Sequence, residues 1–225
     1  MSFKFGPAEI ILSNRQNYLK KLGLSYEQCV AMACDNGSQI IIMDNNNLAT
    51  YQNASAQKDM LLSEVLITNK KNLPLMLLTA DCIPATFYDP IKKIIALAHF
   101  NRHTIGNDLA SKTITTLKEK FGVKPTDLLI NFGPYIHTES YVFDLPLDTQ
   151  PPTQLTDFVL KKDDQVQIDL RSAFIHQLTK AGATKTNITT SPSNTGNSSQ
   201  YFSHYRSTRD QTYPTGRMAT VLMLK

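Results

Sequence analysis

A cysteine and a histidine are spaced in this sequence so that a hairpin would bring them together. Cys82 lies in the segment Thr79–Pro84, and His99 comes at the end of the following apolar run. Asp89 and Pro90 between them are typical of the first two positions of a type I turn. A turn centred just after Pro90 would place residues 82 and 99 directly opposite each other, with Cβ atoms ~4.5–5.5 Å apart. The pattern predicts a thiol that faces an imidazole.

Such a pair supports several kinds of chemistry. Cys82 and His99 could transfer a proton or activate water or phosphate, or they could share a metal ion. A thiol hydrolase is an alternative, because a neighbouring imidazolium lowers the pKa of a thiol nucleophile. In the purely structural interpretation, Cys82 is a small buried residue and His99 an ordinary strand residue.

Composition restricts the class of protein. The 225 residues are 41% hydrophobic, which favours one domain spanning 1–225. Three cysteines without a CxxC pattern argue against a disulfide framework and favour a cytoplasmic location. The sequence has no apolar run of signal-peptide or membrane-span length. The net charge of +4 is spread among acidic residues, so we expect neither a nucleic-acid nor a membrane partner.

Periodicity indicates an α+β fold. Helices are predicted from Ser13 to Gly23, from Asn107 or Asp108 to Gly122, and after Asp169 as far as Gly182. Strands outnumber helices and often follow one another directly, which favours a mixed or mainly antiparallel sheet system covered by a few helices. The predicted strands are 39–44, 64–68, 73–78, 83–88, 93–98, 128–132, 187–190 and 217–224.

Two long polar segments, 45–58 and 191–214, are predicted to be loops, and long ordered loops are often functional. The second loop combines aromatic rings with guanidinium groups, including Tyr205 and Arg206. Rings can stack on a planar ligand, and guanidinium groups can bind an anion.

Several segments, in their order along the chain, resemble the laccase-domain family, also called multicopper polyphenol oxidase or YfiH-like. Members of that family are described as purine nucleoside phosphorylases with adenosine deaminase activity. The resemblance runs from about Asn14 to the C-terminus. The segments that carry it are Thr79–Pro84, Ala98-His99, Gly133–Ile136 with Tyr141-Val142, Asp169-Leu170, Phe202-Ser203 with Arg206, and Thr215–Ala219.

The resemblance implies a mixed β-sandwich of the YfiH-like cysteine-hydrolase fold and a His, Cys, His pocket that can bind zinc. Cys82 and His99 would be its second and third ligands. Asn36 stands where the family has the first histidine, so we expect much less than one zinc per chain. Asp35, or the ring of His103, is the alternative to the missing first ligand. Copper chemistry is not expected, because the chain has only five histidines.

The resemblance also implies an enzyme that acts on a small-molecule nucleoside with phosphate as co-substrate. Cys82 and His99 would then be catalytic, and the substrate-binding residues would be Ser203, Tyr205, Arg206 and Arg217. Arg102 and Asn194 also depart from the family pattern. The alternative is a diverged paralogue that binds a ligand or partner without turnover. As an oligomeric state we expect a monomer or a weak homo-oligomer.

Overall fold

Short apolar runs form the strands of this protein and amphipathic segments form its helices. The computed structural model describes residues 2–46, 48, 61–145 and 151–225. The helices are α1 (Ala8–Lys21), α2 (Leu109–Phe121), α3 (Leu170–Lys180) and α4 (His204–Arg209). The strands are β1 (Val30–Ala33), β2 (Ile40–Met43), β3 (Leu61–Leu62), β4 (Val65–Thr68), β5 (Leu75–Thr79), β6 (Ile83–Asp89), β7 (Ile94–Phe100), β8 (Leu129–Phe132), β9 (Val142–Asp144), β10 (Val159–Lys162), β11 (Gln165–Ile168), β12 (Ile188–Thr190) and β13 (Met218–Leu222).

These strands form three sheets, so the predicted α+β class is confirmed. One sheet has six strands in the order β12-β8-β6-β7-β4-β2, a second has four in the order β13-β5-β1-β3, and a third has the order β10-β11-β9. The central pairs β8/β6, β6/β7 and β7/β4 are antiparallel, whereas the outer pairs β12/β8 and β4/β2 are parallel.

Alternation along the strands defines the layers. Leu66 and Leu97 of the six-stranded sheet pack in one cluster with Val30 and Leu75 of the four-stranded sheet. The opposite side of the six-stranded sheet, which includes Phe100, packs against α2 and α3. Residues of α1 pack on the other side of the four-stranded sheet, in a cluster that contains Leu19, Ala31 and Met76. Because side chains alternate, one face of each sheet looks into the space between the two sheets.

The β6/β7 hairpin differs from the predicted register. Pro84, not Cys82, lies opposite His99. The last pair of the hairpin is Asp89 with Ile94, so the loop is longer than a two-residue turn. The Asp89 carboxylate holds this loop by accepting hydrogen bonds from the N–H groups of residues 91 and 92, at 2.7 and 2.9 Å. Lys93 then adopts a left-handed φ of 54°, and pairing resumes only at residue 94. The register shifts by two residues, which keeps 82 and 99 on the same face as diagonal neighbours.

The helix predictions hold for α2 and α3 and fail at the start of α1. Asp169 caps α3 by accepting the N–H of Ser172 at 2.9 Å, and Gly182 follows the helix with φ 102°. The first helix begins at Ala8, directly after Pro7, so Ser13 lies inside it rather than at its cap. Proline at the N-terminal boundary was the better start signal.

Three further predictions concern the loop 45–58, a membrane-spanning segment and the number of domains. Most of the predicted loop 45–58 lies outside the described residues. Among the described residues, no helix combines the length and the apolar character needed to cross a membrane. The single-domain boundary stays a prediction.

Candidate active site

The pairing of β4 with β7 places a carboxylate beside His99. Val65 pairs with Ala98, so Glu64 and His99 are the next opposed residues, and the His99 N–H donates to the Glu64 carbonyl at 2.9 Å. His99 Nδ1 lies 2.7 Å from Glu64 Oε2. The two side chains share a face with Leu66 and therefore look into the space between the sheets.

The Glu64 carboxylate is buried, and both of its oxygens have hydrogen-bond partners. Its side chain is 0% exposed, and Oε1 accepts the backbone N–H groups of Asp35 and Asn36, both at 2.8 Å. Asn101 Nδ2 lies 3.3 Å from His99 Nδ1. A buried carboxylate is costly unless hydrogen bonds satisfy it, and these contacts do so while fixing the ring. Because Glu64 occupies Nδ1, Nε2 is the ring nitrogen left for other partners.

Cys34 approaches the same ring from the other sheet. It follows β1 on the face of Val30 and Met32, which pack between the sheets, and it is itself in contact with that cluster. One ligand atom from each of Cys34, Glu64 and His99 lies within 4.8 Å of the others. This cysteine was not among the site residues predicted from the sequence.

Cys82 belongs to the segment in which the chain crosses from β5 in the four-stranded sheet to β6 in the six-stranded sheet. It lines the same cavity as Cys34 and His99. The structure therefore places Cys82 and His99 together, as predicted, although by a different register. Their catalytic roles stay predictions.

The Cys34 thiol and the His99 ring titrate as a coupled pair. Burial disfavours the imidazolium, but charge and hydrogen-bond interactions with Cys34 and Cys82 outweigh it, so the pKa of His99 lies well above its usual value. Burial raises the pKa of the Cys34 thiol, and the interaction with His99 opposes that rise. The ring is therefore the preferred holder of a proton in this group.

Asp81 ties the late loop to the cysteine segment. It adopts a left-handed φ of 83°, which aspartate tolerates better than most residues. Its buried carboxylate accepts hydrogen bonds from Thr195 Oγ1 at 2.6 Å, Ser203 Oγ at 3.0 Å and the Tyr205 N–H at 2.7 Å. These contacts hold the start of α4 against Asp81, which directly precedes Cys82. Sequence reasoning missed Asp81 as a site residue.

A cavity of about 540 Å³ opens over these residues. Its lining combines the thiol and imidazole group with aromatic rings and cationic side chains. The aromatic residues are Phe5, Tyr141, Phe143 and Tyr205, and the cationic residues are Lys4, Arg102, Arg209 and Arg217. Such a lining suits a ligand that has both a planar ring and a negative charge.

Three of the rings form a wall. The ring centroids of Tyr141, Phe143 and Tyr205 lie 4.8–5.8 Å apart in edge-to-face contacts. The Arg209 guanidinium stacks 3.7 Å above Tyr205, and Arg102 lies 5.6 Å from the Phe143 centroid. The Tyr205 hydroxyl is hydrogen-bonded to the backbone of residue 142, which fixes its ring. Tyr205, which was predicted to bind substrate, therefore lines the cavity as part of this wall.

Of the two arginines predicted to bind an anion, Arg217 lines the cavity and Arg206 lies outside its described lining. Arg217 precedes β13, lines the cavity and interacts electrostatically with Cys82 and Asp81. Burial lowers the pKa of Arg217, but an arginine remains charged at neutral pH. Arg206 donates to the Ser198 carbonyl at 2.9 Å and stacks 3.8 Å from the Tyr213 ring. In the described structure Arg206 is not part of the cavity lining.

Ser203 also has a structural contact in place of the predicted ligand contact. Besides donating to Asp81, its hydroxyl accepts the N–H of Arg206 at 3.1 Å as the cap of α4. It is 1% exposed, and it is not among the described residues that line the cavity. Its position explains the Phe-Ser…Arg spacing as a means of shaping the loop. The structure gives Ser203 a positioning role, and its substrate-binding role stays a prediction.

The positions that depart from the family pattern are also placed. The exposed Asn36 offers Oδ1 to Asn101 Nδ2 at 2.9 Å. Asn194 is buried, and its amide contacts Glu139, Ser140 and the backbone of the loop. Asp35 accepts the N–H of Gly37, and it does not line the cavity, whereas His103 does. None of these four side chains belongs to the Cys34, Glu64 and His99 group in the described residues.

Two purine nucleoside phosphorylases are similar in sequence to this chain. The purine nucleoside phosphorylase YlmD of Bacillus subtilis is 29% identical over 169 residues, which are 71% of this chain and 58% of that protein. The aligned part thus spans less than two thirds of that relative. A purine nucleoside phosphorylase of Corynebacterium glutamicum is 24% identical over 217 residues, covering 96% of this chain and 82% of that protein.

The fold is shared with a solved structure. The crystal structure of the hypothetical protein YfiH from Bacillus licheniformis has a TM-score of 0.81 and 24% identity, covering 96% of this chain and 81% of that chain. The cysteine-hydrolase part of the fold prediction stays a prediction. A family model described as multi-copper polyphenol oxidoreductase laccase matches residues 6–225. The chain therefore belongs to this laccase-like family, the one that its sequence motifs indicated.

Proposed function

We propose that this protein is a purine nucleoside phosphorylase. The observation that carries the proposal is one cavity that brings an aromatic wall, cationic side chains and the Cys82 and His99 group together. Its volume of about 540 Å³ lies within the range of about 300–1,000 Å³ usual for small-molecule sites. The names of the relatives from Bacillus subtilis and Corynebacterium glutamicum support the same reaction class.

The cavity can meet two requirements of this reaction, which are to hold the purine and to hold the phosphate. The bond between C1′ of the sugar and the purine nitrogen breaks, a bond from C1′ to a phosphate oxygen forms, and the departing nitrogen takes a proton. The purine must be held flat, which suits the wall formed by Tyr141, Phe143 and Tyr205. The phosphate must be held beside the sugar, where a bound geometry replaces an unfavourable encounter.

We assign phosphate binding to Arg217, with Arg102 and Arg209 near the aromatic wall. Arg217 is half-buried and close to Cys82, so a phosphate on its guanidinium would lie next to the Cys82 and His99 group. That group would activate the oxygen nucleophile, which is phosphate for phosphorolysis or water for hydrolysis and deamination.

Phosphate binding should therefore depend on one arginine and not on the other. Replacing Arg217 with Ala should weaken phosphate binding about 10- to 100-fold, because a charge-assisted contact contributes about 1.5–3 kcal/mol. Arg206→Ala should leave phosphate binding within about threefold of the wild-type value, because its side chain contacts Ser198 and Tyr213. Calorimetric titration with inorganic phosphate measures both. Equal weakening in the two variants would restore the sequence-based assignment of Arg206.

The reaction itself is tested with a panel of purine nucleosides, incubated with and without phosphate and analysed by chromatography. Phosphate-dependent release of the free base, lost in Cys82→Ala, is the expected result. Phosphate-independent conversion of adenosine to inosine would instead identify a deaminase. An inert panel together with measurable nucleoside binding would identify a binding paralogue. Either of these last outcomes would overturn the phosphorylase proposal.

A further inference from the structure

We propose that the substrate is a purine nucleoside monophosphate, whose phosphate ester is bound by Arg102 and Arg209 at the aromatic wall. The proposal rests on the phosphorylase function and narrows its substrate class. The bond from C1′ to the purine nitrogen breaks, and a bond from C1′ to an oxygen of inorganic phosphate, held by Arg217, forms. The purine leaves with a proton on its nitrogen. The other product is a pentose with a phosphate on C1′ and its original ester unchanged.

The cationic side chains that line the cavity outnumber the acidic ones. Lys4, Arg102, Arg209 and Arg217 are cationic, whereas Asp81 is the one acidic residue among the described residues of the lining. A cleft that is lined by one sign of charge concentrates ligands of the opposite sign. Because a nucleoside is neutral, this excess favours a ligand that brings negative charge of its own.

The arginines of the lining lie on two different rings. The Arg217 guanidinium lies 4.6 Å from the centroid of Phe5 and interacts electrostatically with the cysteine segment. Arg102 and Arg209 instead lie 5.6 and 5.5 Å from the centroid of Phe143. The cavity therefore offers a second anion position at the aromatic wall, besides the one assigned to inorganic phosphate.

The guanidinium groups at the wall keep donors for a ligand. Arg209 stacks 3.7 Å from the Tyr205 centroid and donates to the Val142 carbonyl at a long 3.4 Å. Arg102 donates its Nε–H to His103 Nε2 at 3.3 Å. Among the described residues, neither arginine forms an ion pair with a carboxylate. Since a stacked guanidinium presents its N–H groups at its edge, it can still bind two oxygens of one phosphate.

A phosphate monoester matches this arginine pair in charge and in geometry. Arg102 and Arg209 place two positive charges near one ring, and these charges repel each other unless an anion neutralises them. A phosphate monoester brings about −1.5 to −2 charge at neutral pH and three acceptor oxygens. Its purine would lie against the same wall, which Tyr141, Phe143 and Tyr205 form.

Binding without turnover tests this proposal separately from the phosphorylase reaction. Guanosine, guanosine 5′-monophosphate and guanosine 3′-monophosphate are titrated calorimetrically into the full chain in phosphate-free buffer. We expect one of the two nucleotides to bind about 10- to 100-fold more tightly than guanosine, which is the effect of a charge-assisted contact. That affinity ratio should fall as salt is added, because salt screens exposed charges such as Arg209.

Matched variants locate the ester. Arg102→Gln and Arg209→Gln should each lower the ratio of nucleotide to guanosine affinity about 3- to 10-fold, half of that free energy. Arg206 is the matched control, because it lies on the same helix as Arg209 and stacks 3.8 Å from the Tyr213 ring, outside the described lining. Arg206→Gln should keep the ratio, and so should Arg217→Ala. Circular dichroism checks that each variant is folded.

Three results would overturn the proposal. The first is wild-type protein that binds neither nucleotide more tightly than guanosine, even if the nucleoside panel shows phosphorolysis. The second is a ratio lost in Arg217→Ala and kept in both wall variants, because the ester would then occupy the inorganic phosphate position. The third is a kcat/KM for guanine release, with phosphate present, that is higher for guanosine than for the tighter-binding nucleotide. An inert panel with the expected affinity ratios would instead overturn the phosphorylase function and leave the ester site supported.

Discussion

Glu64→Gln should lower nucleoside turnover by about 100-fold, the lower end of what a general acid or base contributes. The amide oxygen of glutamine can still accept the two N–H groups that now reach Oε1. Its NH₂ group must then face His99 Nδ1, where the carboxylate oxygen lies at 2.7 Å. Because an amide NH₂ only donates, Nδ1 must accept, and the ring proton moves to Nε2. The variant keeps the shape of the site and reverses the tautomer.

The reversed tautomer matters because Nε2 is the nitrogen that faces the reacting centre. A protonated Nε2 that has lost the carboxylate partner cannot accept a proton, so the proposed activation of the nucleophile by His99 is lost. The measurement is steady-state phosphorolysis, combined with ¹⁵N NMR of the histidine rings, which reports the tautomer independently of activity. We expect kcat to fall and the His99 Nδ1 resonance to change from a protonated to an unprotonated nitrogen.

The chain contains a matched control pair at the surface. Glu139 Oε1 lies 3.6 Å from His137 Nδ1, and its side chain is 65% exposed. Glu139→Gln should change turnover by less than about threefold, because solvent screens an exposed pair. If Glu64→Gln keeps wild-type turnover while its ring tautomer reverses, His99 Nε2 has no part in the chemistry.

The sequence alone predicts the face on which a strand residue lies, but it does not predict the register of the strand. The face shared by Cys82 and His99 was predictable, because alternation along a strand depends only on residue parity. The exact register was not, because it depended on how many residues the Asp89 side chain holds in the loop. A shift of two residues happens to preserve the face, whereas a shift of one would have separated the pair.

Glu64 and Cys34 were missed for a different reason. The run 65–68 was identifiable as a buried strand, but nothing local indicates that β4 pairs with β7 so that Glu64 opposes His99. Likewise, Cys34 reaches the ring from another sheet, and sheet-to-sheet packing depends on contacts distant in sequence. The available signal was an acidic residue directly before the apolar run Val65–Ile67, where a buried charge needs a partner.

The three-stranded sheet was also missed. Its strand β10 contains Lys161 and Lys162, and it is mostly exposed, so it shows no apolar run. The alternation Gln165–Ile168 in β11, with Val166 and Ile168 buried, was the signal available in the sequence. This sheet contributes Phe143 to the aromatic wall, so missing it also meant missing one of the three rings of that wall.

Asp81→Ala should lower the free energy of unfolding by about 2–5 kcal/mol. The variant removes the acceptor for Thr195, Ser203 and the Tyr205 N–H. The two hydroxyls can rotate to new partners, but the backbone N–H cannot, and a buried donor without a partner costs about 1–3 kcal/mol. Alanine also tolerates the left-handed φ of 83° less well than aspartate, at a cost of about 1–2 kcal/mol.

Asp81→Asn separates these contributions. Asparagine tolerates the left-handed conformation, its oxygen can accept the Tyr205 N–H, and its NH₂ group can donate to the Thr195 hydroxyl. Only the charge is lost, so we expect about half the destabilisation of the alanine variant. Equilibrium urea unfolding measures both variants, with the exposed Asp157→Ala as the control expected to stay within about 0.5 kcal/mol of the wild type.

The same contacts predict which part of the protein Asp81→Ala destabilises first. Asp81 is the link between the cysteine segment and α4, which carries Tyr205 and Arg209 into the cavity. Hydrogen exchange in Asp81→Ala should therefore rise over 203–209 before it rises in the buried strand β7. KM for the nucleoside should rise as well, because the aromatic wall loses one of its rings when α4 detaches. Uniform exchange across 203–209 and β7, with an unchanged KM, would show that Asp81 stabilises the whole fold and does not position the late loop.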